Sequence, residues 1–479
     1  MKPPYLMQTD ERRTEVDRDK RVYFEVFGCQ MNKLDSELML ESLHQNGYAL
    51  THDVDEAGVI IYNTCSIREK AEERAYSRLG SFKRRKAQDP GLVIALTGCV
   101  AQHHESDLLS KLPHVDMVVG TREFHRLPQM IDQVRGGSEP LLATELDSPL
   151  EFHRSQNLGP SGSQAYVSVM RGCDQVCSYC IVPTTRGKEV SRPPEMILDE
   201  IRRLAENGVR EITFLGQTVN SYGKRLGDGI GLHTLLYGVE DIEGIERVRF
   251  ITSHPRYMRP KLIEAMAVCE KSCEYLHLPV QSGSSSVLAR MKRTYDRDFF
   301  LKVVDRLRGS IGDFAIATDF IVGFPGETDE EFEESLSLAR EVGFDHGYVF
   351  KYSPRPGTVS HRMEDDVPEE VKKERNNLLL STILDGAQAK NEGLVGSLQE
   401  ILVEGPSKND PTRFTGRTRA HRIVSFAADA EDQAGRFQQV RIDRATGTSL
   451  WGSKVGDATD RPSVPKPRLE AAGSAGDGA

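Results

Sequence analysis

Residues 165–187 read AYVSVMRGCDQVCSYCIVPTTRG, an apolar run typical of a buried β-strand that leads directly into a loop with three cysteines. Cys173, Cys177 and Cys180 have the spacing C-x3-C-x2-C. Three thiolates in one short loop favour zinc or an iron–sulfur cluster, and such centres want four ligands. Nothing nearby supplies a fourth, so the loop predicts a metal centre whose fourth ligand either comes from elsewhere or is absent; three packed or redox cysteines are the alternative.

The surroundings of this loop predict an α/β fold for residues 159–392. Strands and helices alternate, and six strand–helix repeats indicate a partial (β/α)6 barrel, with the cysteine loop after its first strand. Barrel active sites are built at the carboxyl ends of the strands, which is where this loop lies. The predicted strands are 165–170, 211–216, 247–252, 274–280, 315–324 and 346–352.

A second set of cysteines lies in residues 21–137, which predict an N-terminal parallel α/β domain. Cys29, Cys65 and Cys99 each follow an apolar run, at 22–28, 59–64 and 92–98. One cysteine after a strand is usually a small packing residue. Three at equivalent positions should converge, because the carboxyl ends of parallel strands meet at one sheet edge. The pattern predicts a second three-thiolate site.

Residues 393–455 change character, since short β-like runs separated by turns predict a small β-barrel. The chain has a net charge of −10, which argues against a globally basic nucleic-acid binder. This segment is locally basic, so it is either a solvated face or a phosphate-binding surface. Its cations are Lys408, Arg413, Arg417, Arg419 and Arg422.

The remaining segments are expected to be a linker at 138–158 and disordered ends at 1–20 and 456–479. Residues 1–20 are charged throughout, and no stretch has the length and hydropathy of a membrane helix. We therefore expect a cytoplasmic protein, in which eight cysteines are more typical of metal binding or catalysis than of disulfides. Cys269 and Cys273, at i and i+4 with no third ligand beside them, are expected to pack.

The C-x3-C-x2-C loop, with the aromatic Tyr179 before its last cysteine, resembles the signature of the radical S-adenosylmethionine enzymes. The two cysteine sets together with a C-terminal β module similar to a TRAM domain resemble the methylthiotransferases over about residues 21–455. The motifs that carry this resemblance are long: GCQMNKLDSE (28–37), NTCSIREKAEERA (63–75), LGQTVNSYG (215–223), HLPVQSGS (277–284), DFIVGFPGET (319–328) and GRT (416–418). One departure is His421, where the family pattern has Asn.

The resemblance implies two [4Fe-4S] clusters, one on each cysteine set, and S-adenosylmethionine on the open iron of the cluster in the loop. It implies a tRNA anticodon stem-loop as partner, with the TRAM-like cations contacting phosphate. An electron donor such as flavodoxin or ferredoxin and iron–sulfur assembly or sulfur-delivery proteins are implied as well, and we expect a monomer. The residues expected to line the cofactor site are Tyr179, Gly216, Gln217, Gln281, Ser282 and Gly283.

The runs CQMN and CSIREKAE favour the methylthiotransferase branch that acts on an isopentenylated adenosine beside the anticodon. The resemblance implies that one S-adenosylmethionine supplies the methyl group and a second supplies a 5′-deoxyadenosyl radical, with sulfur carried at the N-terminal cluster. The same chemistry on a ribosomal-protein side chain or a differently modified adenosine is the nearest alternative. An RNA-binding or redox-sensing iron–sulfur protein without turnover and, more remotely, a zinc protein remain open.

Overall fold

The computed structural model describes residues 16–66, 69–147, 162–427 and 434–457. These residues form the three expected units: an N-terminal parallel sheet with helices, a central set of strand–helix repeats and a closed C-terminal barrel. The fold is therefore the α/β architecture that the alternation of apolar runs predicts.

The N-terminal unit is a parallel sheet in the order β2-β1-β3-β4-β5-β6. The central strands β3 and β4 are buried at every position, as continuous apolar runs in a parallel sheet require. The strands are β1 Arg21–Phe27, β2 Ala49–Thr51, β3 Val59–Thr64, β4 Val93–Gly98, β5 Met117–Val119 and β6 Leu141–Ala143. The helices are α1 Gln30–Gln45, α2 Glu69–Ser81, α3 Lys83–Gln88, α4 Cys99–His104, α5 Ser106–Lys111 and α6 Leu127–Arg135.

The central unit arranges six parallel strands as two sheets, β11-β10-β7 and β12-β13-β14, with a short β8–β9 ribbon beside them. A large apolar core lies between these strands and the helices outside them. The strands are β7 Gln164–Ser168, β8 Met170–Arg171, β9 Val190–Ser191, β10 Glu211–Leu215, β11 Arg247–Phe250, β12 Tyr275–His277, β13 Ala315–Val322 and β14 His346–Lys351. The helices are α7 Val182–Arg186, α8 Pro194–Glu206, α9 Leu232–Glu240, α10 Pro260–Val268, α11 Ser285–Arg290, α12 Arg297–Ile311, α13 Asp329–Val342 and α14 Glu369–Glu392.

The C-terminal unit is a closed barrel in the order β15-β16-β17-β19-β18. All its pairings are antiparallel except that of β17 with β19. Closure leaves no open sheet edge, and a small apolar cluster fills the inside. The strands are β15 Leu398–Pro406, β16 Arg413–Thr418, β17 Ile423–Ala427, β18 Phe437–Ala445 and β19 Leu450–Asp457.

Three segment boundaries differ from the sequence prediction. The predicted linker 138–158 begins with β6, because the apolar residues 141–143 add a sixth strand to the N-terminal sheet. The predicted disordered start includes a 3-10 helix at Arg18–Lys20, capped by the Asp17 side chain. Strand β19 continues to Asp457, past the predicted boundary at 455. Residues 1–15, 148–161 and 458–479 lie outside the described residues.

Candidate metal centres

The N-terminal cysteines are brought together by strand register. Phe27 of β1 pairs with Thr64 of β3, which pairs with Gly98 of β4, so the three strands end level. Cys65 and Cys99 directly follow these ends, and Cys29 follows two residues later as the N-cap of α1. Residues 36 and 34 positions apart in sequence therefore meet at one sheet edge, as predicted.

A buried hydrogen-bond network supports this edge. The Cys29 thiol donates to Asn32 Oδ1 at 3.2 Å, and Asn32 Nδ2 donates to Asn63 Oδ1 and to the Thr64 carbonyl, both at 3.1 Å. Asn63 Nδ2 returns bonds to the Asn32 carbonyl at 2.9 Å and to Ser36 Oγ at 2.8 Å. The side chains of Asn32, Ser36 and Asn63 are fully buried, so the network holds the cysteine-bearing strand ends in place.

The thiols differ in electrostatic environment. The hydrogen bond with Cys65 lowers the pKa of Cys29 to about 6, and the nearby positive charge of Arg186 acts in the same direction against burial. Burial raises the pKa of Cys99, although Arg186 opposes the rise. A thiolate is the form that binds metal, so Arg186 favours the binding form of both thiols.

Arg186 comes from the central unit, at the end of α7, six residues after Cys180. It is buried, and its Nη2 donates to Asp35 Oδ2 at 2.8 Å, while Arg171 Nη2 lies 3.0 Å from Asp35 Oδ1. Arg186 Nη1 is buried with no hydrogen-bond partner in the described structure. Three cysteines at one sheet edge, with the buried guanidinium of Arg186 beside them, suit an anionic thiolate-held group, and the residues therefore fit a [4Fe-4S] cluster.

The second set of cysteines lies in the loop between β8 and α7. Cys173 Sγ is 3.2 Å from Thr218 Oγ1 and accepts the Gln175 amide at 3.4 Å, while the Cys180 amide donates to the Cys177 carbonyl at 3.1 Å. Burial raises the pKa of Cys173, and it raises the pKa of Cys180 to about 12. Such thiols need a metal or a cation to hold them deprotonated.

Arg293 supplies a cation at this loop. Its Nη1 lies 3.3 Å from Cys177 Sγ and 3.5 Å from the Tyr179 hydroxyl. Burial works to lower the pKa of Arg293, but Tyr295, Tyr179 and Cys177 outweigh it and raise that pKa well above its usual value. The guanidinium therefore stays charged beside the thiol, and three clustered cysteines with a donor to sulfur fit a second cluster.

Three of the residues predicted to line the cofactor site lie at the carboxyl ends of barrel strands. Gly216 and Gln217 follow β10, and Gln217 Oε1 is buried with no hydrogen-bond partner among the described residues. Gln281 follows β12 with a φ of +74°, a strained conformation for a residue other than glycine. An unsatisfied polar atom and a strained backbone beside the cysteine loop suit a polar ligand such as S-adenosylmethionine.

The other three predicted residues have packing contacts. A Cβ on Gly283 would lie 2.5 Å from backbone atoms of α13, and Ser282 Oγ lies 3.3 Å from Ser335 Oγ. Tyr179 packs against an apolar cluster that includes Phe324. The structure gives Ser282 and Gly283 a role in helix packing, and the cofactor contacts of all three stay predictions.

The zinc alternative needs three or four ligands around one ion. Within the described ranges, no three His, Cys, Asp or Glu side chains are grouped to hold a single metal ion, and this holds for both cysteine sets, so the finding does not separate zinc from a cluster. Cys269 and Cys273 are buried in the central unit, 2% and 3% exposed, which agrees with their expected packing role.

The five predicted RNA-binding cations all interact with other groups of this chain. Arg413 donates to Ser425 Oγ at 3.0 Å, and Arg417 pairs with Glu404 at 2.7 Å, both within the barrel. Arg419 pairs with Glu274 and Arg422 with Asp345, each at 2.8 Å, where the barrel meets the central unit. Lys408 is exposed. The segment is thus partly a domain junction rather than the continuous basic face that its composition suggests, and the RNA contacts stay predictions.

Sequence reasoning missed Asp35, Arg186 and Arg293. Asp35 and Arg186 lie inside the stretches quoted above. The signal that could have identified them is a charged residue close to a cysteine, at a position expected to be buried. Arg293 had no such signal, because its approach to Cys177 depends on how α11 and the following turn pack.

Comparison with known families matches each unit separately. Residues 21–120 match the family described as Uncharacterized protein family UPF0004, residues 167–339 match the Radical SAM superfamily, and residues 393–455 match the TRAM domain. A relative from Clostridium botulinum (strain Langeland), named tRNA-2-methylthio-N(6)-dimethylallyladenosine synthase, is 43% identical over 90% of this chain and 96% of its own length. The chain belongs to this synthase family.

A second synthase of that name, from Ralstonia nicotianae, is 44% identical over 92% of this chain and 99% of its own length. Membership of the synthase family, with its radical SAM and UPF0004 units, implies S-adenosylmethionine and [4Fe-4S] clusters as cofactors.

Among solved structures, the radical S-adenosylmethionine methyltransferase TsrM from Kitasatospora setae is similar with a TM-score of 0.52 at 12% identity. The match covers 71% of this chain and 74% of TsrM, and it shows the fold alone. In the described part of the chain, no helix combines the length and apolar character needed to cross a membrane.

Proposed function

We propose that this chain converts N6-dimethylallyladenosine, at position 37 beside the tRNA anticodon, to its 2-methylthio derivative. The observation that supports it best is the pair of separate three-cysteine sites, Cys29 with Cys65 and Cys99, and Cys173 with Cys177 and Cys180. A radical enzyme without sulfur insertion needs one such site. A second site with an open position offers a place to carry the sulfur.

In this proposal each cysteine set holds a [4Fe-4S] cluster. When bound, the clusters and two molecules of S-adenosylmethionine supply a transferable sulfur, a methyl group and the radical chemistry that activates the C2–H bond. The chain positions these groups: Arg293 donates toward Cys177, Thr218 toward Cys173, and Gln217 and Gln281 offer polar contacts to the cofactor. Burial of Cys65, Cys99 and Cys173 limits the access of water to these thiols, while Cys29, Cys177 and Cys180 are partly exposed.

The C-terminal barrel would bind the tRNA through phosphate contacts, which carry affinity rather than sequence readout. Exposed Lys408 with Arg413 and Arg417 is the part of the basic segment best suited to this role. Arg417, Arg419 and Arg422 would have to leave Glu404, Glu274 and Asp345 to take part. A low-potential donor of the flavodoxin or ferredoxin type would supply electrons, and iron–sulfur assembly or sulfur-delivery proteins would load the clusters.

Mass spectrometry of tRNA nucleosides from a strain that lacks this protein tests the proposal. Complementation with the wild-type chain should restore 2-methylthio-N6-dimethylallyladenosine. Complementation with Cys29→Ala/Cys65→Ala/Cys99→Ala should leave N6-dimethylallyladenosine unmodified at C2. That variant should bind roughly four irons after anaerobic reconstitution, against roughly eight in the wild type. Cys269→Ala, a buried cysteine outside both sites, is the matched control and should restore the product.

Persistence of the 2-methylthio nucleoside in the strain without the protein would overturn the substrate assignment. Two clusters with no release of 5′-deoxyadenosine on reduction would instead favour an iron–sulfur protein that binds RNA without turnover.

A further inference from the structure

The N-terminal cysteine site is completed by a residue of the central unit. Arg186 ends α7, in the same segment as Cys173, Cys177 and Cys180, yet its side chain lies beside Cys99 and Cys29 of the N-terminal unit. One stretch of about fifteen residues therefore reaches both metal sites.

The segment is held against the N-terminal unit by backbone as well as side-chain contacts. Thr121 Oγ1 donates to the Thr185 carbonyl at 2.7 Å, and Arg171 Nη1 donates to the Thr121 carbonyl at 3.3 Å. Both Thr121 and Thr185 are buried. The backbone just before Arg186 is therefore held by Thr121, and the guanidinium is held by Asp35. The guanidinium thus reaches the cysteine edge in a fixed orientation.

Two buried arginines meet at this junction. Arg171 and Arg186 both contact the carboxylate of Asp35, with all three side chains 1–5% exposed. The neighbouring buried Arg192 is matched by Glu200 at 2.7 Å. A buried guanidinium is stabilised by an anion placed beside it, because burying a charge is costly.

An anionic cluster would place a counter-charge beside Arg186. A four-iron cluster in its resting oxidised state, held by three thiolates, carries one net negative charge. Arg186 Nη1 is one of the buried donors with no hydrogen-bond partner in the described structure, and it belongs to the side chain that lies beside two of the three cysteines. Hydrogen bonds and charge near the sulfurs are the means by which a protein tunes the potential of a cluster.

We propose that Arg186 is a positioning residue for the N-terminal cluster: it balances the charge of that cluster, donates to its sulfur atoms and raises its reduction potential, while Asp35 orients it. This inference rests on the proposed function, since it assumes that Cys29, Cys65 and Cys99 hold a cluster. It makes the N-terminal site dependent on the loop that carries the other cluster.

The test isolates the N-terminal cluster in the full chain with Cys173→Ala/Cys177→Ala/Cys180→Ala. In that background Arg186→Gln should lower the midpoint potential measured by EPR-monitored redox titration, because it removes a positive charge that favours the reduced cluster. Asp35→Asn should shift the potential in the opposite direction. Arg186→Lys keeps the charge but not the fork of donors and should give a smaller downward shift. Arg192→Lys, the same change at a neighbouring buried arginine, is the control and should give none.

Opposite shifts for Arg186→Gln and Asp35→Asn support the proposal, since a merely structural disturbance has no reason to follow the sign of the lost charge. Equal potentials in all variants, or shifts in one direction for both, would overturn it. If Arg186→Gln does not fold, a potential for Arg186→Lys equal to that of Arg192→Lys would also overturn it. An isolated-site background that binds no iron at all would instead contradict the proposed function.

Discussion

At the scale of single residues, Gly98 shows how closely the sequence of the N-terminal site is tied to its geometry. Gly98 has a φ of +93°, and a Cβ there would lie 2.3 Å from Asn63 Oδ1 and 2.6 Å from the Thr64 carbonyl. The glycine therefore lets β4 end directly against the buried amide network before the chain turns into α4 at Cys99.

We expect Gly98→Ala to lower the free energy of unfolding by about 1–3 kcal/mol, because it strains the backbone and displaces Asn63. Urea unfolding followed by circular dichroism measures the loss, and iron content reports whether Cys99 still contributes. Gly80→Ala is the matched control, since nothing lies within 4 Å of its new methyl group and Gly80 is in the exposed part of α2. Equal stability of Gly98→Ala and Gly80→Ala would contradict this account.

At the scale of secondary-structure elements, α13 begins with a capping box that also joins it to α11. The Glu331 amide donates to Thr328 Oγ1 at 3.3 Å, and the Thr328 amide donates to Glu331 Oε2 at 3.1 Å. Arg290 Nη1 and Nη2 of α11 donate to the same carboxylate at 2.8 and 2.6 Å. The hydrogen bonds from Arg290 lower the pKa of Glu331 to about 2.

Because this pKa is lower in the folded chain, the stabilisation by Glu331 is present above about pH 4.5 and is lost as the pH falls toward 2. We expect Glu331→Gln to cost about 1–3 kcal/mol at pH 7 and progressively less as the pH falls from about 4.5 to 2. Urea unfolding at several pH values checks this. Glu333→Gln, on the exposed face of the same helix, should stay within about 1 kcal/mol of the wild type. If the difference in unfolding free energy between Glu331→Gln and the wild type did not change with pH, the ion pair between Arg290 and Glu331 would not be its cause.

At the scale of the whole molecule, two arginines of β11 fasten the C-terminal barrel to the central unit. Arg247 donates to the Arg417 carbonyl at 2.8 Å, and Arg249 donates to the Thr418 carbonyl at 2.7 Å. Both are about 1% exposed and share the buried carboxylate of Glu211. The turn after β16 is therefore held by buried charged donors, which explains why part of the basic segment lies at a junction.

We expect Arg249→Met to destabilise the chain by about 3–5 kcal/mol, because it leaves Glu211 buried with a weaker partner. Trp451 is the single tryptophan and lies in β19, so its fluorescence reports the C-terminal barrel. The unfolding transition followed by Trp451 fluorescence should move to a lower urea concentration. It should also separate from the transition followed by circular dichroism. Adding Glu211→Gln should recover part of the loss, and no recovery would show that the buried charge is not the cause.

Much of the fold could be read from the chain because apolar runs specify buried parallel strands locally. Strand β3 has the bounds that the apolar run 59–64 predicts. Short strands were missed: β6 has three residues and gains its stability from pairing with β5, which no local pattern expresses. Strand β16 is not predicted as a strand, because its arginines obscure the alternation of apolar and polar residues.

The sequence by itself determined the three units, both cysteine sets and the parallel arrangement that brings the second set to one edge, because apolar runs, strand–helix alternation and cysteine positions are local properties of the chain. Only the tertiary structure decided which charged side chains lie beside the cysteines and at the domain junction. Arg186 beside Cys99, Arg293 beside Cys177, and Arg419 at the junction with Glu274 each depend on packing between elements distant in sequence. Coulomb interactions act through space in a low-dielectric interior, so no spacing along the chain encodes them.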